Sequence, residues 1–527
     1  MIINITLASI QLPDKVTVIR NNLFRECHNL QSVMFSNKTT TIESQAFQGC
    51  TSLTILELPP SLESIGASAF SVCPNLKIDA SKNNNVNYVD DMLFTNKKKT
   101  LSGYFGTDPN KELVVPEGLT DIGYCTFMKQ KIKSISFNGA TLITISSQAF
   151  LGCSLESISL PSSLRSIGSE CFSSCNNLKS VIFDSNSPLL VIPKRCFENC
   201  NLLENIILPS SVTTIQEYAF SGCSKTGDIG ISSTQISTIG TLAFQNSRIT
   251  CFENNNNVIS FGYGSFYKSS IETVSFSAVT IPSSCFFGCS SLTSININSV
   301  DTIEDSSFEN CNALISYVIP SSLRNIKSFA FRNCISLSSV TLSLGSNIEQ
   351  IYGGAFINCP NLQSIKLDSQ DNRYRFSNGA LTNYNETNLI TFIPSSLIDT
   401  YIVPATMTSI GNYAFMSCPN LVRILFSGNS IQAIGRESFK DCPKLAFLYI
   451  TSSSLTSIGE GAFDGSLLLH RCGSVRCDKN KRDMFISNGI PTISFNVDCY
   501  NAWGSCRHNP TLITNFSPIL ITPLIVM

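Results

Sequence analysis

The chain has few of the residues on which catalysis and metal binding usually depend. Of its 527 residues only three are histidine, His28, His470 and His508, and none has the spacing of a metal site or a catalytic triad. There is no P-loop and no Gly-x-Ser-x-Gly elbow, and Gly262-x-Gly264 is a lone fragment of a dinucleotide motif. The sequence therefore predicts no metal, no cofactor and no enzymatic activity.

Charge is also scarce, and it is balanced. Only 14% of the residues are charged, with 36 basic against 37 acidic, so no strongly basic surface is expected and nucleic-acid binding is disfavoured. No stretch reaches the roughly 18 apolar residues that a membrane-spanning helix needs. The first residues lack the charged and apolar regions of a secretory signal, and no polar cap precedes the first strand, which favours a start inside a longer gene product.

What the chain has in abundance is one motif, Ile-x-x-x-Ala-Phe-x-x-Cys, which recurs about every 23 residues. The seventeen copies have their anchor phenylalanine at Phe24, Phe47, Phe70, Phe127, Phe150, Phe172, Phe197, Phe220, Phe244, Phe266, Phe286, Phe308, Phe331, Phe356, Phe415, Phe439 and Phe463. Ile stands five residues before the anchor in sixteen copies, and Cys stands three residues after it in thirteen. Repetition at this period indicates coils that stack, because one coil cannot bury its own apolar side chains.

The rest of each coil is clear in the stretch from Leu155 to Pro161. Ile158 and Leu160 alternate with polar residues, as in a short strand with one buried face, and Pro161 ends that strand. The Ala-Phe-x-x-Cys segment then predicts a compact return, which we interpret as a short helical turn. The sequence thus predicts an α/β solenoid with one short strand and one helical turn per coil.

The period breaks in two places and ends before the C-terminus. We expect a solenoid over residues 1–469, with irregular repeats at about 79–115 and 368–402, and a non-repeat tail or cap over 470–527. Each irregular repeat is interpreted as a diverged coil with a polar excursion, either a tolerated surface loop or a loop that contacts a ligand.

The 22 cysteines are explained better by position than by pairing. Thirteen occupy one position of the repeat, and Cys171, Cys196 and Cys285 replace the small residue before the anchor. Pairs such as Cys171 and Cys175 have a spacing that metal ligands use, but both members lie at core positions. We therefore predict a column of buried, reduced thiols.

The outward residues of the strands form the candidate binding surface. Most rungs offer small polar side chains, and two regions differ. In one region Ile182 and Ile207 are exposed neighbours, and in the other, near the C-terminus, the residues are Arg423, Leu425, Phe447 and Tyr449. Aromatic and Arg side chains on an otherwise polar face are typical of binding hot spots. The competing interpretation is that the tail after His470 covers the last four.

Four Asn-x-Ser/Thr sequences are candidate glycosylation sites if the protein enters the secretory pathway. They begin at Asn4, Asn37, Asn385 and Asn515.

The order Leu-Pro-x-Ser-Leu-x-x-Ile-Gly-x-x-Ala-Phe-x-x-Cys-x-x-Leu closely resembles the BspA-like branch of the leucine-rich-repeat proteins, from about Leu7 to Leu469. The resemblance implies a leucine-rich-repeat superhelix without catalytic residues. It also implies a cell-surface or secreted antigen that adheres to a protein or glycan of host cells or matrix. The alternative is an intracellular, cytoplasmic leucine-rich-repeat scaffold for protein-protein interaction, since no signal or anchor is visible.

Overall fold

The computed structural model describes residues 7–496, except 138–140, 298, 344, 346 and 368–372, and it describes no side chains for 255–258. The chain divides into two compact units, residues 1–312 and 313–527. Both units are built of stacked coils of about 23 residues. Nearly every regular coil contributes one strand to a first row and a two-residue strand to a second row; in the coil between Phe220 and Phe244 the 3-10 turn Ile231–Ser233 stands in place of the first-row strand.

In the first unit nearly all strand pairing is parallel and in register from coil to coil. Ile158, for example, pairs with Val181, which pairs with Ile206. The first row contains Ser9–Gln11, Ser32–Met34, Ile55–Glu57, Lys77–Asp79, Leu113–Val114, Ile135–Ser136, Ser157–Leu160, Ser180–Phe183, Asn205–Ile207, Cys251–Val258, Thr273–Ser277 and Ser294–Ile297. The second row contains Val18–Ile19, Thr41–Ile42, Ser64–Ile65, Asp121–Ile122, Thr144–Ile145, Ser166–Ile167, Val191–Ile192, Thr214–Ile215, Thr238–Ile239, Ser260–Phe261, Thr280–Ile281 and Thr302–Ile303.

The second unit repeats this arrangement. Its first row contains Ser316–Ile319, Ser339–Leu342, Ser364–Lys366, Thr400–Val403, Arg423–Phe426, Phe447–Ile450 and Val475–Cys477. Its second row contains Asn325–Ile326, Gln350–Ile351, Ser409–Ile410, Ala433–Ile434 and Ser457–Ile458.

The prediction of a helical turn in each coil is wrong. In all seventeen coils the residues two before and two after the anchor phenylalanine have positive φ, as Asn22 and Glu26 have around Phe24. Two residues in the left-handed conformation, four positions apart, prevent this segment from forming a right-handed helix. Instead, in most of these coils the N–H groups of those two residues and of the anchor donate to carbonyls of the next coil, as Phe24 does to Ala46 at 2.8 Å.

This pattern makes a second set of inter-coil hydrogen bonds, which we call the return ladder. Where the ladder is continuous, three N–H groups per coil take part. Those of Gln148, Phe150 and Gly152, for example, bond to the next coil at 2.9, 2.9 and 2.8 Å. Helix is confined to 3-10 turns at Ile231–Ser233, Leu467–His470, Lys479–Lys481 and Thr492–Phe495 and, within the described residues, to one α-helix, Arg482–Ile486. The structure is therefore a solenoid of strands and turns.

The anchor phenylalanines form the centre of the core. Successive rings stack, with centroids 5.2 Å apart and planes 8° apart between Phe150 and Phe172. All seventeen anchors are 3% exposed or less. This stacking explains the repetition, because each ring is buried in large part by the rings of neighbouring coils.

The column cysteines lie beside these rings, and all thirteen are buried thiols. Most donate a hydrogen bond to the carbonyl of the anchor phenylalanine one coil earlier, as Cys175 does to Phe150 at 2.9 Å. Ser466 makes the same bond to Phe439, so a serine hydroxyl can replace the thiol as the donor at this position.

Both irregular repeats are antiparallel three-stranded segments. They contain Asn87–Val89, Met92–Thr95 and Thr100–Tyr104 in the first unit and Tyr374–Ser377, Ala380–Asn383 and Asn388–Phe392 in the second. The third strand of each pairs in parallel with the second row of the following coil. The non-repeat segment after His470 closes the core of the second unit, since Phe485 is fully buried and its ring centroid lies 5.6 Å from that of Phe463.

Candidate functional site

The outward face of the first row is the candidate site. Strand alternation turns Ile158 and Leu160 inward, where they are 2% exposed, and leaves Ser157 and Ser159 exposed between them. Parallel in-register pairing repeats this alternation from coil to coil, so outward side chains of successive coils lie side by side. A partner bound to this face would contact several coils at once.

Ile182 and Ile207 are adjacent on this face in the first unit. They pair in register and are 57% and 59% exposed. An exposed isoleucine pair in a polar surface leaves apolar area in contact with water that a partner protein could cover.

The four candidates in the second unit are less uniform. Arg423 pairs with Phe447, and Leu425 pairs with Tyr449. The guanidinium of Arg423 lies 3.7 Å from the carboxylate of Asp399 and donates to Thr400 Oγ1 at 3.3 Å, so this side chain is only 19% exposed. Leu425 and Tyr449 are half-buried.

Phe447 does not join an outward patch, because it is only 7% exposed. The strand Val475–Cys477 continues the first row beside Phe447–Ile450, and Leu448 N–H donates to Ser474 at 2.9 Å. Backbone from the non-repeat segment thus lies against this end of the sheet.

Sequence reasoning missed Ile402, which is 60% exposed and pairs with Leu425. The alternation in Thr400–Val403 could have indicated it, but the preceding irregular repeat hides the register of this coil. Ile402, Leu425 and Tyr449 lie at matching positions of three successive strands.

Of the four candidate glycosylation sites, Asn37 and Asn385 lie on turns and are exposed. Asn4 and Asn515 lie outside the described residues.

Buried thiols are the main titratable groups with shifted pKa values. Burial raises the pKa of Cys50, Cys223 and Cys289 to about 12, and the pKa of Cys200 rises because of burial and the nearby Cys223. These groups are poor nucleophiles near neutral pH, since the thiolate is the reactive form. Within the described residues no group of three or more His, Cys, Asp or Glu side chains is arranged to hold a metal ion.

Over the part of the chain that the structure describes, no helix has both the length and the apolar character to cross a membrane.

Known proteins similar to this chain include solved structures from bacteria. A leucine-rich repeat protein of Bacteroides ovatus is 27% identical over 62% of this chain and 82% of its own, with a TM-score of 0.44. A leucine-rich cell surface protein of Faecalibacterium prausnitzii is 20% identical over 69% of this chain and 88% of its own, with a TM-score of 0.31. The pneumococcal vaccine antigen PcpA is 14% identical over 72% and 79%, with a TM-score of 0.27. A search of curated proteins returned no significant match.

A family model covers most of the sequence. The model of the BspA type leucine-rich repeat region, which spans six copies of the repeat, matches residues 3–103, 101–224, 190–315, 279–399 and 391–501. Together with the coil geometry, these matches show that the chain belongs to the BspA type leucine-rich repeat family.

Proposed function

We propose that the protein is a non-enzymatic binding protein that holds a partner protein on the outward face of its first strand row. The observation that carries this proposal is the exposure of Ile182 and Ile207 side by side in register on this face, next to the small polar residues Ser157 and Ser159 of the preceding coil. Large exposed aliphatic side chains at the centre of a polar rim are the arrangement that protein interfaces use.

The partner is proposed to be a host-cell or matrix component, with the protein at the cell surface. This step rests on the family, since proteins of this family are known as surface antigens associated with adhesion to host cells. Labelling of intact, unpermeabilised cells that make the protein tests the location. Label on the protein supports the proposal, whereas label only after permeabilisation favours the intracellular scaffold.

The binding face is tested with the double variant Ile182→Ser/Ile207→Ser. Each side chain should contribute about 1–2 kcal/mol to a protein interface, so binding of the purified protein to cultured epithelial cells should fall about 30-fold or more. The matched control is Val279→Ser, because Val279 is 66% exposed but lies beside the second row. Equal losses in both variants would contradict a specific role for the first row.

A further inference from the structure

The first strand row of the first unit is interrupted one strand before the strand that carries Ile182. Ile135–Ser136 belongs to one sheet and Ser157–Leu160 to another, although Glu156 N–H still donates to Lys133 at 3.0 Å just before the two strands. A cleft opens between them. It is lined by Ile135, Ser136, Phe137, Ser159, Leu160, Pro161, Ile182 and Asp184.

The floor of this cleft is apolar. Ile135, Phe137 and Leu160 are 6%, 8% and 2% exposed, so they belong to the core and only a small part of each reaches the cleft. Ile182 is 57% exposed and forms the rim, and its neighbour Ile207 extends the apolar surface by one more coil. A large apolar side chain inserted here would be covered on several sides, which is what an interface hot spot requires.

Asp184 places a negative charge at the edge of this apolar cleft. It is exposed, its Oδ1 accepts the backbone N–H of Asn186 at 2.9 Å, and no cation among the described residues forms an ion pair with it. Most other charged residues of the region have partners, as Lys179 has in Glu156 at 3.4 Å. The unpaired carboxylate would therefore attract a cation from a ligand.

We infer that this cleft binds an extended polypeptide that inserts one large apolar side chain and places a lysine or arginine next to Asp184. The inference rests on the proposed function, because it names the chemistry that the first-row face recognises. The apolar side chain supplies contact with Ile135, Leu160 and Ile182. The basic side chain selects the orientation and excludes acidic segments.

Selection from a random peptide display library on the full-length protein tests this assignment. Peptides enriched on the unaltered protein should carry a large apolar residue within two positions of a lysine or arginine. The same selection on Asp184→Asn should lose the basic preference and keep the apolar one, because Asn retains the oxygen that accepts the Asn186 N–H. The selection on Ile182→Ser should lose the apolar preference.

Affinity measurement then separates charge from packing. The probe is a fluorescein-labelled peptide of Gly and Ser with one Phe followed by one Lys. Asp184→Asn should weaken its binding about threefold at low salt, and the difference should disappear at about 1 M salt. Circular dichroism of both variants controls for folding.

Enriched peptides without the basic residue, or a preference unchanged in Asp184→Asn, would overturn the inference. If the Ile182→Ser/Ile207→Ser variant still loses cell binding in that case, the proposed function stands and only the ligand chemistry is wrong. If the peptide preference holds while cell binding is unaffected by that variant, the cleft recognises peptides and the proposed function is wrong.

Discussion

Regular and irregular coils both place aromatic rings in the core but differ in their backbone hydrogen bonds. In a regular coil the segment around the anchor phenylalanine accepts hydrogen bonds from the coil before it and donates to the coil after it. The irregular repeat of the first unit instead folds as a three-stranded antiparallel segment, called the hairpin below. Many of its backbone hydrogen bonds form between its own strands. Its aromatic side chains replace the missing anchor, with Phe105 at 6.5 Å from Phe70 and Tyr104 at 5.5 Å from Phe127.

The return ladder stops where the hairpin replaces a regular coil. The N–H groups of Ser68, Phe70 and Val72 have no acceptor among the described residues, whereas the equivalent groups of Gln45, Phe47 and Gly49 bond at 3.0, 2.8 and 2.9 Å. In the second unit the return ladder is likewise interrupted at Gly354, Phe356 and Asn358. It resumes in the irregular repeat that follows, where Phe392 N–H donates to the Ala414 carbonyl at 2.7 Å. Continuity of the core and continuity of the ladder are therefore separate properties of this fold.

The largest expected difference between the two kinds of coil is in their stability at alkaline pH. The buried column thiols have raised pKa values, so unfolding exposes groups that lose their protons above about pH 9. The unfolded state then binds fewer protons than the folded state, and each thiol lowers the free energy of unfolding by about 1.4 kcal/mol per pH unit between about pH 9 and 12. In the hairpin of the first unit, Tyr88 and Tyr104 have pKa values raised by burial from 10 to about 12, so their contribution is lost only above about pH 10.

Hydrogen exchange measured after stepwise increases in pH, corrected for the intrinsic rate, should thus show opening of regular coils before the hairpin at 87–104. A triple variant with Ser at Cys175, Cys200 and Cys223 should move the onset in those coils to higher pH. Opening of the hairpin first would contradict the thiol explanation.

Removal of an anchor ring should have the next largest effect. Phe197 is stacked on both sides, at 5.4 and 5.3 Å, and Phe197→Ala should cost about 3–5 kcal/mol locally. Phe105 meets its neighbours less closely, at 6.5 and 6.3 Å, so Phe105→Ala should cost about 1 kcal/mol less. Hydrogen exchange of the adjacent coils measures both losses, and equal losses would show that stacking adds nothing.

The cysteine column should respond to the loss of its hydrogen bond. Cys200 donates to the Phe172 carbonyl at 3.0 Å, and Cys200→Ala should cost about 1–2 kcal/mol because that bond and some packing are lost. Cys200→Ser keeps a donor and should cost less, which thermal unfolding of both variants can measure. A larger loss for Ser than for Ala would mean that the thiol acts only as an apolar side chain.

The smallest expected effect is a difference in hydrogen-exchange rate between single backbone amides, one where the return ladder is continuous and one where it stops. The Phe70 N–H lacks an acceptor among the described residues and should exchange about tenfold faster than that of Phe47, which bonds to Ala69, although both residues are buried. Residue-resolved hydrogen exchange in native buffer makes the comparison. Equal protection would show that the break is closed by another acceptor.

Sequence reasoning located the regular coils because each inward residue recurs at a fixed position, as Ile158, Val181 and Ile206 do. It placed Ile182 and Ile207 on the outward face from the same alternation. It did not predict the hairpins, since the segments at 87–104 and 374–392 have lost the motif that identifies a coil. The cleft at Asp184 could not be predicted from the sequence. Side chains of three coils line it, and the distance between those coils depends on where the first row is interrupted.

The sequence by itself determined the period, the inward residues and the buried anchors, since a stacked coil must turn its apolar side chains toward its neighbours. Only the tertiary structure decided how each coil returns. The Ala-Phe-x-x-Cys segment has an apolar spacing compatible with a helical turn, but its N–H groups find acceptors in the next coil, about 22 residues away. Hydrogen bonds between coils form only once coils are stacked, so the conformation that they favour cannot be read from the residues of one coil.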